Sequence, residues 1–123
     1  SMNVLLIEPD IKLGKNYAEA LSLSGFTVQI ADGAEEALEF ASKTLPNLLL
    51  LELQLPRHGG VEFVYEFRSY PEWKDVPIIL FTMTPKSALG LDQKQLTRFD
   101  IVDYLYKPEV SLANLVASVK EFI

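Results

Sequence analysis

Five side chains at distant points of the chain carry most of its chemical potential: Glu8, Asp10, Glu52, Thr82 and Lys107. Each follows or closes an apolar run. Carboxylates facing an ammonium in a crevice suit acid–base work or ligand binding. Taken singly, each residue also has a plainer reading. Asp10 has the position of a helix cap. Thr82 is β-branched, as strands favour. A lone lysine is usually a solvated surface group. Four suitable groups at four successive strand ends make chance a poor explanation.

The run Pro46–Gly60 organises the rest. Leu48 to Leu51 is unbroken leucine and ends at Glu52, before a loop with Pro56, Gly59 and Gly60. Such a run reads as a strand buried on both faces. Asn3–Ile7, Phe26–Ile30, Val76–Thr82 and Ile101–Leu105 give four more strands. Between them lie helical patterns. Leu13, Tyr17, Leu21 and Ser24 share one face, and Gly25 stops that helix. Asp32 and Glu35 have capping-box spacing before a helix with Ala34, Ala37, Leu38, Ala41 and Leu45 inward. A third helix runs from about Val61 to Ser69, with Val64 and Phe67 inward, and Pro71–Asp75 reads as a loop. Residues 83–100 contain one ill-defined helix. Ser111 caps a last helix whose stripe is Leu112, Leu115, Val116, Val119, Phe122 and Ile123.

Strand–helix repeated five times with short connections gives an α/β fold: a flavodoxin-like, doubly wound, five-stranded parallel sheet of order 2-1-3-4-5 with five helices. In that architecture the carboxyl ends of strands 1, 3, 4 and 5 face one crevice. Glu8, Asp10, Glu52, Thr82 and Lys107 would meet there.

The bulk composition narrows the function. The 123 residues read as one domain, 49% apolar and 23% charged, with a net charge of −6. That charge disfavours nucleic-acid binding. Cysteine is absent, so thiolate chemistry is excluded. No leader or membrane-spanning run is visible, and a cytoplasmic protein is expected. Ser1 reads as a tag remnant. His58, the single histidine, reads as a solvated loop residue.

The motifs Leu5-Leu6-Ile7-Glu8-Pro9-Asp10, Leu50-Leu51-Glu52-Leu53-Gln54-Leu55-Pro56 with Gly60, Pro77-Ile78-Ile79-Leu80-Phe81-Thr82 and Asp103-Tyr104-Leu105-Tyr106-Lys107-Pro108 occur in this order. Over essentially the whole chain they resemble the receiver domain of two-component response regulators. The resemblance implies a signalling module of a phosphorelay rather than an enzyme. Its partners would be proteins, such as a histidine kinase or an output domain, with a possible homodimer through helix 4, strand 5 and helix 5. Receivers place an aspartate at the end of strand 3 as phosphoacceptor, two adjacent acids after strand 1 for Mg²⁺, and a Thr or Ser and a Lys against the phosphoryl group. Thr82 and Lys107 match, and Tyr104 matches the switch aromatic. The stretch from Thr82 to Lys107 is about three residues longer than the resemblance implies.

Two positions depart from the pattern. Glu52 stands in the phosphoacceptor's place, and Pro9 replaces the second acid. The extra methylene moves the carboxylate by about 1.5 Å, and a misplacement of roughly 1 Å can cost about a hundredfold in rate. Glu8, Glu52 and the Gln54 carbonyl remain as weak Mg²⁺ ligands. An atypical receiver is therefore expected, acting through protein contacts, with no cofactor beyond weak Mg²⁺ binding. Glu52 either reaches Lys107 and fixes a switch state, or only keeps charge balance in a vestigial pocket. The alternatives are a working receiver phosphorylated despite Glu52, or a small enzyme using Glu8, Glu52 and Lys107.

Overall fold

The computed structural model describes residues 2–123; Ser1 and the reading of it as a tag remnant lie outside the described residues. Ten main elements follow in order: β1 (Asn3–Ile7), α1 (Ile11–Leu23), β2 (Thr27–Ala31), α2 (Ala34–Lys43), β3 (Leu48–Leu51), α3 (Gly60–Arg68), β4 (Ile78–Thr82), α4 (Gln93–Arg98), β5 (Ile101–Tyr106) and α5 (Leu112–Phe122). The sheet is parallel throughout, in the order β2-β1-β3-β4-β5 expected from the sequence.

The purely apolar strands are central because both their faces are covered. Leu5, Ile7, Leu49, Leu51, Ile78 and Leu80 pack on one face against α2 and α3. Val4, Leu6, Leu48, Leu50, Ile79 and Phe81 pack on the other against Leu21 of α1 and Leu115 and Val119 of α5. The period of two thus splits one apolar run between two cores.

Several local expectations are corrected. Asp32 and Glu35 do not form a capping box: Gly33 occupies the cap position, and Asp32 N donates to Glu36 Oε1 at 2.9 Å. Leu45 lies past the end of α2 and is exposed, as is Leu112 at the start of α5. Pro71–Trp73 is a 3₁₀ turn with Trp73 buried against Phe67, their rings 4.8 Å apart. Residues 83–100 resolve into a 3₁₀ turn at Lys86–Ala88 and the short α4, which has a capping box of Asp92 and Gln95.

Two features fix loops at opposite edges of the sheet. Arg68, at the end of α3, donates to three backbone carbonyls: Phe99 at 2.7 Å, Trp73 at 2.7 Å and Val76 at 2.5 Å. It ties α3 to the entry of β4 and the end of α4. Gly60 folds back on the residue after Glu52. A Cβ there would lie 2.5 Å from Leu53 Cα and 2.8 Å from its carbonyl oxygen, backbone atoms with no freedom to yield. Gly60→Ala is expected to lose about 2 kcal/mol. In urea denaturation the midpoint would fall with the slope unchanged; an unaltered midpoint would show that this close approach is not a constraint.

Candidate functional site: a saturated carboxylate and a buried ammonium

Backbone hydrogen bonds carry the strand ladders past the last paired residues and set the site. Glu8 N donates to Ala31 O at 2.9 Å, and Glu52 N donates to Ile7 O at 3.0 Å. Both carboxylates are therefore delivered side by side at the carboxyl edge of β1 and β3. Each residue exposes 3% of its surface, and Thr82, at the end of β4, exposes none.

Lys107 opens a 3₁₀ turn directly after β5 and lies between the two carboxylates. Its Nζ is 2.8 Å from Glu52 Oε1 and also bonds Glu8 Oε1. Only 6% of its side chain is exposed. The rings of Phe81 and Tyr17 stand 5.4 and 5.7 Å from Nζ and cover its other side. Those two rings meet edge to face at 4.7 Å.

Glu52 accepts four hydrogen bonds. Oε1 takes Lys107 Nζ and Met83 N, the latter at 3.0 Å. Oε2 takes the Thr82 hydroxyl and Gln54 N, the latter at 2.9 Å. A carboxylate offers about four lone-pair sites, so this one is saturated. The Thr82 oxygen is equally engaged. It donates to Glu52 and accepts from Thr84 N at 3.0 Å and Leu53 N at 3.4 Å. Thr84 continues the network: its Oγ1 accepts from Gln54 Nε2 at 3.3 Å, and its carbonyl accepts from the Tyr104 hydroxyl at 2.8 Å. Tyr104 is half-buried and packs on the core under α3 and α4. Glu52 and Tyr104 are thus joined through Thr82 and Thr84.

Asp10 is the expected site residue that the structure places elsewhere. Its exposed side chain accepts from Leu13 N at 3.0 Å and caps α1. The orphan N–H of a first helical turn is a nearer partner than the crevice. Only its backbone joins the site, with Asp10 N donating to Glu8 Oε2 at 3.1 Å. His58 faces Glu62 at 3.3 Å on the exposed side of the loop, away from this network. The sequence placed Glu8 in the pocket and paired Lys107 with Glu52, but did not pair Lys107 with Glu8, which shares the ammonium. It also missed the N–H groups of Met83 and Gln54, because a backbone donor leaves no mark in residue type.

Glu8 and Glu52, the candidate metal ligands, converge on Lys107. Pro9 brings no side-chain oxygen. Among the described residues no group of three His, Cys, Asp or Glu side chains gathers. Mg²⁺ is commonly held by one or two carboxylates together with waters; here both carboxylates are engaged by the Lys107 ammonium.

Comparison with known proteins now defines the class. Residues 4–120 match the response regulator receiver domain family, and the chain belongs to it. It is 29% identical over 125 residues to the response regulator MprA of Mycobacterium leprae, covering 99% of this chain and 51% of that protein. It is 32% identical over 116 residues to the hybrid signal transduction histidine kinase D of Dictyostelium discoideum, covering 94% of this chain and 7% of that protein. The chain thus spans about half the length of the first of these relatives and a small part of the second. The Vibrio cholerae chemotaxis protein CheY4 shares the fold, with a TM-score of 0.85 at 22% identity over 99% of this chain and 98% of that one. No helix among the described residues is long and apolar enough to cross a membrane.

The electrostatics are set by these contacts. Burial pushes the Glu52 carboxyl up, but Gln54 N, the Lys107 ammonium, the Thr82 hydroxyl and Met83 N together outweigh it. Its pKa lies below the ordinary 4.5. Burial pulls Lys107 down, but Glu52 and Glu8 outweigh it and raise its pKa above the ordinary 10.5. A depressed carboxylate stabilises the fold above its unfolded pKa and loses that contribution as pH falls through the folded value. A raised lysine stabilises below its unfolded pKa and loses that contribution as pH rises through the folded value. Both contributions are therefore fully present between pH 4.5 and pH 10.5. Wild type should exceed Glu52→Gln in Tm at about pH 7, and the gap should close toward about pH 3. A gap that is the same at both pH values would contradict an ionised, bonded Glu52.

Proposed function

We propose that this domain is an atypical receiver in which the Glu52 carboxylate stands in for a phosphoryl group. It works by protein contact, without a phosphorylation cycle and without catalysing a reaction of its own. The observation that carries this reading is the saturation of Glu52. A nucleophile needs a free lone pair aimed at the incoming phosphorus, and all four sites here face protein donors. Phosphoryl transfer depends on positioning and charge neutralisation. The added methylene displaces the acceptor oxygen by about 1.5 Å, and Pro9 withholds a metal ligand. The Thr82 hydroxyl and the Lys107 ammonium are meanwhile drawn to an anion that the chain supplies itself.

On this reading the domain rests in one switch state, with Tyr104 turned inward and held by the Thr84 carbonyl. Such a state is a charge-biased, two-state element with its bias built in. The partners would be a histidine kinase or an output domain, consistent with what the relatives are named for. The face of α4, β5 and α5 is the candidate contact surface, for an output domain or for a second copy. The acidic charge suits protein partners better than nucleic acid, and the module would work in the cytoplasm.

Incubation with acetyl phosphate and Mg²⁺, followed by intact-mass measurement, tests the reading. Wild type is expected to keep its mass, and Glu52→Asp combined with Pro9→Asp to gain a base-labile phosphoryl adduct. A stoichiometric adduct on Glu52 of the wild type would establish a working receiver instead.

A further inference from the structure

We infer that the resident cation of this site is the Lys107 ammonium itself, and that it excludes the divalent ion that Glu8 and Glu52 would otherwise recruit. The inference rests on the ion-pair geometry and not on whether Glu52 accepts a phosphoryl group. Lys107 Nζ bonds one oxygen of each carboxylate, and the Glu52 contact is 2.8 Å. A metal ion shared by the same oxygens would have to occupy the same space. Mg²⁺ needs six oxygens at about 2.0–2.1 Å and gives up its own water reluctantly. The remaining lone pairs of Glu52 are committed as well, and so is one on the other oxygen of Glu8. Glu52 Oε1 and Oε2 also accept from Met83 N, Gln54 N and Thr82, and Glu8 Oε2 accepts from Asp10 N.

The ammonium cannot simply step aside. Its side chain is 6% exposed and is walled by Tyr17 and Phe81. Retreat along its stem would break both buried ion pairs and carry the charge past these rings toward a cavity whose lining includes Asn16 and Glu19. Two carboxylates and one ammonium leave a formal charge of −1 in a pocket that exposes almost nothing. Deleting the ammonium makes that charge −2 and empties the position between the two oxygens. Two buried, unpaired carboxylates are a strong attractor for a hard divalent cation. Lys107 therefore makes the state of the intact domain independent of the Mg²⁺ concentration around it.

The test uses MgCl₂, with MnCl₂ as a paramagnetic reporter, and follows the amide signals of Glu8, Gln54 and Met83 by NMR. The wild-type signals are expected to stay unshifted to about 10 mM metal. Lys107→Met keeps the packing on Tyr17 and Phe81 and should show saturable shifts, with an affinity at least about tenfold above the wild-type limit. Glu8→Gln added to Lys107→Met should abolish them. Saturable shifts in the wild type would overturn the inference, as would a Lys107→Met protein as insensitive to metal as the wild type. If Lys107→Met does not fold in metal-free buffer, recovery of its circular dichroism on adding Mg²⁺ supports the inference. Failure to recover overturns it.

Discussion

The need to neutralise one buried ammonium constrains the whole carboxyl edge of the sheet. Lys107 enters from the end of β5, on the sheet's edge, and crosses to the ends of β3 and β1. Taking an ammonium out of water is costly unless it is paired and its partners are themselves hydrogen-bonded. Both conditions hold. Glu52 and Glu8 supply the charge, and backbone N–H groups of Gln54, Met83 and Asp10 add hydrogen bonds to their carboxylates. No buried side-chain polar atom among the described residues lacks a partner. The order of the strands, set by apolar burial, also meets this demand. Only with β1 and β3 adjacent do Glu8 and Glu52 stand together, and both strands are apolar enough to lie at the centre of the sheet.

The added methylene of Glu52 changes what this edge can do. A shorter carboxylate would leave space between itself, Thr82 and Lys107, and that space is where an incoming group could react. Glu52 fills the space and takes the donors. The Thr82 hydroxyl donates to Glu52, Thr84 N donates to Thr82, and the Tyr104 hydroxyl donates to the Thr84 carbonyl. In the proposed reading, this chain of bonds would convert charge at one strand end into the position of a ring on the outer strand. Arg68 holds the frame against which this happens, since it fixes the backbone where α4 ends and β4 begins.

Much of this was legible in the sequence because it depends on side-chain type. Unbroken apolar runs identified the central strands and their order. Glu52, Thr82 and Lys107 stood out because polar groups ended those runs. The pairing of Glu52 with Lys107 followed from charge and reach. What the sequence hid depends on backbone or on competition between partners. Asp10 read more readily as a helix cap than as a ligand, and the structure shows the cap. Met83 N and Gln54 N carry half of the bonds to Glu52, yet any residue would offer the same N–H. Arg68 looks like an ordinary basic residue in a last helical turn, and its three carbonyl partners lie 5 to 31 residues away. Residues 83–100 lacked a readable period because α4 is only six residues long and is preceded by a 3₁₀ turn.

The central claim is that the charge of Glu52 holds Tyr104 inward. The most direct measurement is the solution NMR of the Tyr104 ring in wild type and in Glu52→Gln, read through its NOEs to the Thr84 region and its exchange broadening. The account predicts a single inward ring in the wild type, and an exchanging or outward ring once the charge is removed. An identical ring environment in both proteins would contradict it and would leave Glu52 as a charge-balancing residue in a pocket that controls nothing.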